Sequence, residues 1–189
     1  MDDHILDDEL LNSNGDSKIR MAGFWIRVGA AFVDLVVYLP AMAIYFYNMF
    51  YLKSIVIQLI ILVLMMAYKP FMEYRYGATF GKMAVNIKVI GTGLNRLSLN
   101  QAAVRYIPWL TGSIISIISA FYLFQDQTFL QTSDFIELSA IQSQILPSGL
   151  NTINYLSSVF LFVSVIVVGF TKEKQGIHDM MANTYCIYK

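Results

Sequence analysis

The chain has 189 residues, 57% of them hydrophobic and 14% charged, with 13 basic and 13 acidic side chains and a formal net charge of zero. Soluble domains run closer to a quarter charged, so a water-facing surface here is short of charge and lipid is the predicted cover. Zero net charge without zinc-finger or RNP-like spacing excludes nucleic-acid binding, and a single cysteine, Cys186, excludes an intrachain disulfide or a multi-thiolate metal site.

Residues 1–20, MDDHILDDELLNSNGDSKIR, carry six acids before the first base and no apolar core of signal-peptide length, so no cleavable signal is expected. So little apolar surface cannot offset the entropy of ordering, which predicts a disordered acidic tail. Residues 21–189 are the predicted membrane domain. Crossing ~30 Å of hydrocarbon at 1.5 Å per residue takes about 20 mostly apolar residues. Four windows qualify, at about 22–47, 51–70, 106–124 and 153–170. The predicted fold class is an all-α membrane protein with about four transmembrane helices and a small extended or β segment.

The first window, AGFWIRVGAAFVDLVVYLPAMAIYFY, has Arg27 near its start, Asp34 well inside and Pro40 as a predicted kink. The second has SIVIQLIILVLMMAY as its core, and Lys69, Glu73 and Arg75 mark its exit into water. Next comes RYGATFGKMAVNIKVIGTGLNRLSLNQAAVRYIPW, too polar to cross. Its MAVNIKVIG alternates as a strand, the glycines at 91 and 93 read as a turn, and Ser98 reads as the cap of a helix. The third window places Gly112, Ser116 and Ala120 at four-residue spacing, a smooth stripe suited to packing the bundle or a second subunit rather than to lining a pore. Before the fourth window, SDFIELSAIQSQIL reads as a short surface helix starting at its Ser. After it, NTYCIYK looks extended and is expected to pair with the earlier strand.

Cytoplasmic flanks retain Lys and Arg. Twelve of the 13 bases flank one side of the four windows, Lys53 alone excepted, which predicts that both termini face the cytoplasm. An ionised carboxylate deep in the bilayer is a functional candidate by default, and Asp34 lies roughly 15 Å along its helix, close to midplane. Arg27 shares its side of the helix but stands ~10.5 Å away along the axis, so a second helix or water is expected to bridge them. Two readings stay open: a proton- or cation-carrying acid, or an Arg27 that snorkels while Asp34 ties two helices together.

The segments GFWIRVGAAFVDLVVY, GATFGKMAVNIKVIGTGLNRLSLNQAAVRY and KEKQGIHDMMANTYCIY together resemble the RDD family of small bacterial membrane proteins. The resemblance covers roughly residues 20–189. It implies that Arg27, Asp34 and Asp179 are the signature arginine and two aspartates, and that Thr79, Gly81 and Lys82 form the middle motif. It also implies a bacterial inner-membrane location and transport of an unidentified ligand.

Lys82, His178 and Glu73 are secondary candidates. One reading of Asp179 is a cytoplasmic gate of salt bridges released by protonation of His178, whose ordinary pKa is ~6.5. The simpler reading is a backbone cap that fixes the C-terminal segment. No HEXXH, GXSXG or CXXC occurs, so no enzyme, metal or cofactor is expected. The leading functional reading is a transporter or ion-permeation subunit, such as a cation/proton exchanger, that needs a homo-oligomer because four spans form a thin bundle. The alternative is a non-transporting scaffold that binds other membrane proteins through its cytoplasmic face.

Overall fold

The computed structural model describes residues 19–189, so the predicted acidic tail lies almost wholly outside the described residues. Among the described residues, four helices are long and apolar enough to cross a membrane. Helix α1 is Phe24–Tyr47, closed by a π turn at Asn48–Leu52. Helix α2 is Ile55–Tyr76, and a short α3 at Phe80–Ala84 leads into strand β1, Ile87–Gly91. Helix α4 is Leu99–Leu123, followed by the short α5, Gln127–Gln131, and α6, Phe135–Ile145. Helix α7 is Ser148–Val167; α8, Ile177–Met181, and β2, Thr184–Tyr188, complete the chain.

The burial pattern is inverted relative to a soluble bundle. Phe32, Val36, Val56, Leu64, Tyr155 and Phe162 are each more than half exposed, whereas Asp34, Gln58, Glu73, Arg105 and Asp179 are buried. Apolar groups outside and polar groups inside is the arrangement lipid selects, because lipid cannot solvate a charge but costs nothing to contact with a methyl group.

The ends of the helices depart from the hydropathy windows. Helix α2 continues to Tyr76 instead of stopping at residue 70, α4 begins at Leu99 instead of 106, and α7 runs from Ser148 to Val167 instead of 153 to 170. The polar end turns stay helical because partners bury their charges and because α4 starts on a capping box. Ser98 Oγ accepts from the Gln101 backbone N–H at 3.2 Å, and the Gln101 side chain returns to the Ser98 N–H at 3.1 Å.

The expected sheet is present. Strands β1 and β2 pair antiparallel from Ile87↔Tyr188 to Gly91↔Thr184, with Met21 bridging Ile187. Their inward face, Ile87, Val89 and Cys186, packs on Ala22, Ala30 and Ala102, so the sheet closes one end of the bundle.

At the opposite end, residues 125–151 fold into two capped helices. The second is capped by Asp134 and not by Ser133: Asp134 Oδ1 takes the Ile136 and Glu137 N–H groups at 2.8 and 3.1 Å, while Ser133 donates to the Phe50 carbonyl. Lys53 turns the α1–α2 hairpin in the left-handed region, φ 52°. Its ammonium donates to the Phe129 carbonyl at 3.0 Å, and Asn48 locks the same turn through Ser54 and Gln58.

Candidate functional site

Three buried carboxylates from distant parts of the sequence fall into two clusters. Asp34 sits where α3 presses onto α1. Its Oδ1 accepts from the Tyr68 hydroxyl at 2.9 Å and the Gly81 backbone N–H at 2.8 Å, and its Oδ2 accepts from the Thr79 hydroxyl at 2.7 Å. Thr79 also caps α3, taking the Lys82 N–H at 3.3 Å. The segment expected to lie on the bundle's end therefore reaches down α1 as far as Asp34. Gly81 makes the approach geometrically feasible, since a Cβ there would stand 2.0 Å from the Ala30 carbonyl oxygen.

The second cluster is a chain of alternating charge. Lys82 pairs with Glu73 Oε1, Glu73 Oε2 lies 2.9 Å from Arg105 Nε, Arg105 Nη1 pairs with Asp179 Oδ1, and Asp179 Oδ2 pairs with Arg27 Nη1. Its middle members are nearly sealed, and the cations at its two ends keep slight exposure, 11% for Arg27 and 16% for Lys82. Three cations face two carboxylates, so the surplus positive charge resides at the ends, where water can reach it.

Among the described residues no protein group joins Arg27 to Asp34. About 10.5 Å of helix separates them, and each finds a nearer partner: Arg27 also donates to the Ala22 carbonyl at 2.9 Å and the Lys174 carbonyl at 2.5 Å. Arg27 does not snorkel either. Asp179 takes part in ion pairs and in a backbone cap, since Oδ2 also takes the Gly176 N–H at 3.0 Å and so caps α8.

Arg105 is the residue that sequence reasoning counted only as a flanking base. The signal was available: a cap at Ser98 and an apolar run from Tyr106 make one continuous helix, which places Arg105 inside it. Its Nη1 also donates to Thr184 Oγ1 at 2.7 Å, tying the network to β2. The stripe on α4 faces α7, with Gly112 near Asn154; Ser116 and Ala120 also line a polar chamber of about 80 Å³ with Gln58, Ser119 and Asn154.

His178 stands between Asp179, 3.3 Å from Nε2, and the Ser164 hydroxyl, 2.6 Å from Nδ1. The order resembles a nucleophile, base and acid, but Ser164 is fully buried and accepts the His178 backbone N–H at 3.2 Å, so the hydroxyl anchors α8 to α7. Burial alone would raise the Asp179 carboxyl; the Arg105 and Arg27 guanidiniums overcome it and hold the group well below the usual carboxylate range. Burial pushes the His178 imidazole down to about 4, aided by the Arg105, Lys82 and Arg27 cations and opposed by Asp179. His178 therefore stays neutral at pH ~6.5, where the gate reading expects it to take up a proton.

The model of the RDD family matches residues 21–183. The chain belongs to the RDD family. No curated protein and no solved structure matches it. In this RDD chain the three residues that the resemblance implies as its signature divide between the clusters, Asp34 in one and Arg27 with Asp179 in the other.

A pH dependence follows. His178 is held neutral in the fold, so its contribution is complete above pH ~6.5 and is lost as pH falls toward about 4. A 2.5-unit difference corresponds to a loss of order 3 kcal/mol across that window. Asp179, also depressed, weakens the fold only at lower pH. Unfolding midpoints measured in detergent between pH 7 and 4 should fall for the wild type, and His178→Gln should flatten the curve.

Proposed function

We propose that this RDD membrane protein is a non-enzymatic transport subunit in which Asp34 exchanges a proton for a cation, working as a homo-oligomer in the bacterial inner membrane with both termini cytoplasmic. The observation that carries this is a contrast among buried acids. Glu73 and Asp179 are each neutralised by two bases, while Asp34 receives only neutral donors and, among the described residues, forms no ion pair. Lys69, one residue from Tyr68, is seated over the Trp109 ring instead. An anion in a bilayer-length helix without a protein cation calls for a proton or a mobile cation to balance it. The base-rich flanks support the orientation, and the thinness of a four-span bundle supports oligomerisation.

The second reading is a non-transporting scaffold that binds other membrane proteins through its cytoplasmic face; the direct protein donors on both Asp34 oxygens, which fix α1, α2 and α3 together, favour a structural role for that acid. Reconstituted vesicles containing a pH-sensitive dye separate the two. Imposed sodium or potassium gradients should drive proton movement in the wild type. Asp34→Asn, which keeps the shape of the side chain, should abolish that movement and still give monodisperse protein. Wild-type vesicles that move no protons under either gradient would refute the exchange, an Asp34→Asn protein that fails to assemble would favour a structural role for Asp34, and the scaffold predicts at least one stoichiometric copurifying partner.

A further inference from the structure

At the base-rich end of the bundle, an open groove of about 500 Å³ runs between the start of α1 and the turn after α7, lined by Phe24, Trp25, Phe170, Lys174 and Tyr188 among others. We infer that this groove is a binding site for an anionic phospholipid of the surrounding leaflet, its phosphate held by Lys174 and Arg20 and its upper acyl chain laid along the aromatic floor.

Four observations converge on that occupant. The floor is continuous with lipid-facing surface, since Trp25 is 80% exposed and Phe170 86% exposed at the ends of two bilayer-length helices, where amphipathic rings seat themselves at the headgroup level. The rim is cationic and no acid lines the groove: Lys174 faces it, and the Arg20 guanidinium lies 4.8 Å above the ring of the lining Tyr188. Among the described residues neither base forms an ion pair, so both retain charge for a phosphate. The volume falls in the range of sites that enclose a small organic molecule, enough for a phosphodiester headgroup and the start of one chain.

The groove is also built, not incidental. Lys174 adopts a left-handed backbone, φ 54°, and its carbonyl takes a 2.5 Å hydrogen bond from Arg27. The charge network thus fixes the backbone of Lys174 where the residue lines the groove. Juxtamembrane bases attract anionic headgroups generally; the specific claim is that Lys174 and Arg20 act together over one aromatic-floored slot, while exposed bases elsewhere at the same end contribute little.

Trp25 reports on the site directly. Trp109→Phe leaves it as the single tryptophan of the full chain. This protein is reconstituted in phosphatidylcholine vesicles doped with either brominated phosphatidylglycerol or brominated phosphatidylcholine. The anionic quencher should be at least about fivefold more effective per molecule, the factor expected from one base at a membrane surface. Lys174→Gln and Arg20→Gln should each reduce the preference, and Arg96→Gln, an exposed base away from the groove, should leave it unchanged. Equal quenching by the two lipids overturns the proposal, as does a preference that survives Arg20→Gln or that Arg96→Gln lowers equally. Should Lys174→Gln fail to fold, the Arg20 and Arg96 comparison still decides.

Discussion

Arg105→Met should be among the most destabilising single substitutions in this protein, lowering stability by about 3–5 kcal/mol, the range for removing one partner of a buried ion pair. Arg105 is 3% exposed and stands between two fully buried carboxylates, Glu73 from α2 and Asp179 from α8. Methionine fills similar space, so the loss would come from charge and not from a cavity. Glu73 and Asp179 would each keep one cation, but the inner oxygens facing the vacated position would have none. Thr184 Oγ1 would also lose its donor, loosening β2.

Two further variants separate charge from packing. Arg105→Lys should recover only a minority of the loss, because a single ammonium cannot present divergent N–H groups to carboxylates on two elements as a guanidinium does. Adding Glu73→Gln and Asp179→Asn to Arg105→Met should recover more, since Arg27 and Lys82, at the partly exposed ends, can turn to water. The readout is the unfolding midpoint in mixed micelles. An Arg105→Met protein within 1 kcal/mol of wild type, about the worth of an exposed pair, would show that the network does not hold the bundle together.

Such a network also explains what sequence could and could not reveal. The four crossings were legible because hydrocarbon thickness imposes a length that any apolar run must meet. The β1–β2 pairing and the Ser98 cap were legible because alternation and capping are local rules. The helix ends were not, because a hydropathy window stops at the first charge, whereas Glu73 and Arg105 remain helical once each has an opposite charge to bury against. The partner of Arg27 was hidden for a similar reason. Spacing along one helix places Asp34 on the same side but too far for a direct pair, whereas the ion-pair partner is Asp179, 152 positions away, and only the folded arrangement brings it near. Asp34 was identifiable as a buried acid from its position alone, while its donors Tyr68, Thr79 and Gly81 come from two other elements and carry no one-dimensional signature.

The tightest contact in the Asp34 cluster gives the second large effect. A Cβ added at Gly81 would lie 2.0 Å from the Ala30 carbonyl oxygen and 2.8 Å from Asp34 Cγ. The obstacle is the backbone of α1, which no rotamer change can relieve, so Gly81→Ala must lift α3 away from α1. Overpacking of this kind typically costs 1–3 kcal/mol, and losing the Gly81 N–H bond to a carboxylate adds about 1.5–3 kcal/mol. The expected sum of roughly 2.5–6 kcal/mol should appear as a lowered unfolding midpoint. Gly29→Ala supplies the contrast: it lies inside α1 with nothing within 4 Å of the new methyl group, and alanine in a helix interior should stabilise by about 0.5–1 kcal/mol. Opposite signs from the same chemical change would show that Asp34 is held by close approach of the middle motif to α1. Equal and small effects would mean that α3 sits farther from α1 than this geometry requires, and that Asp34 finds its donors elsewhere.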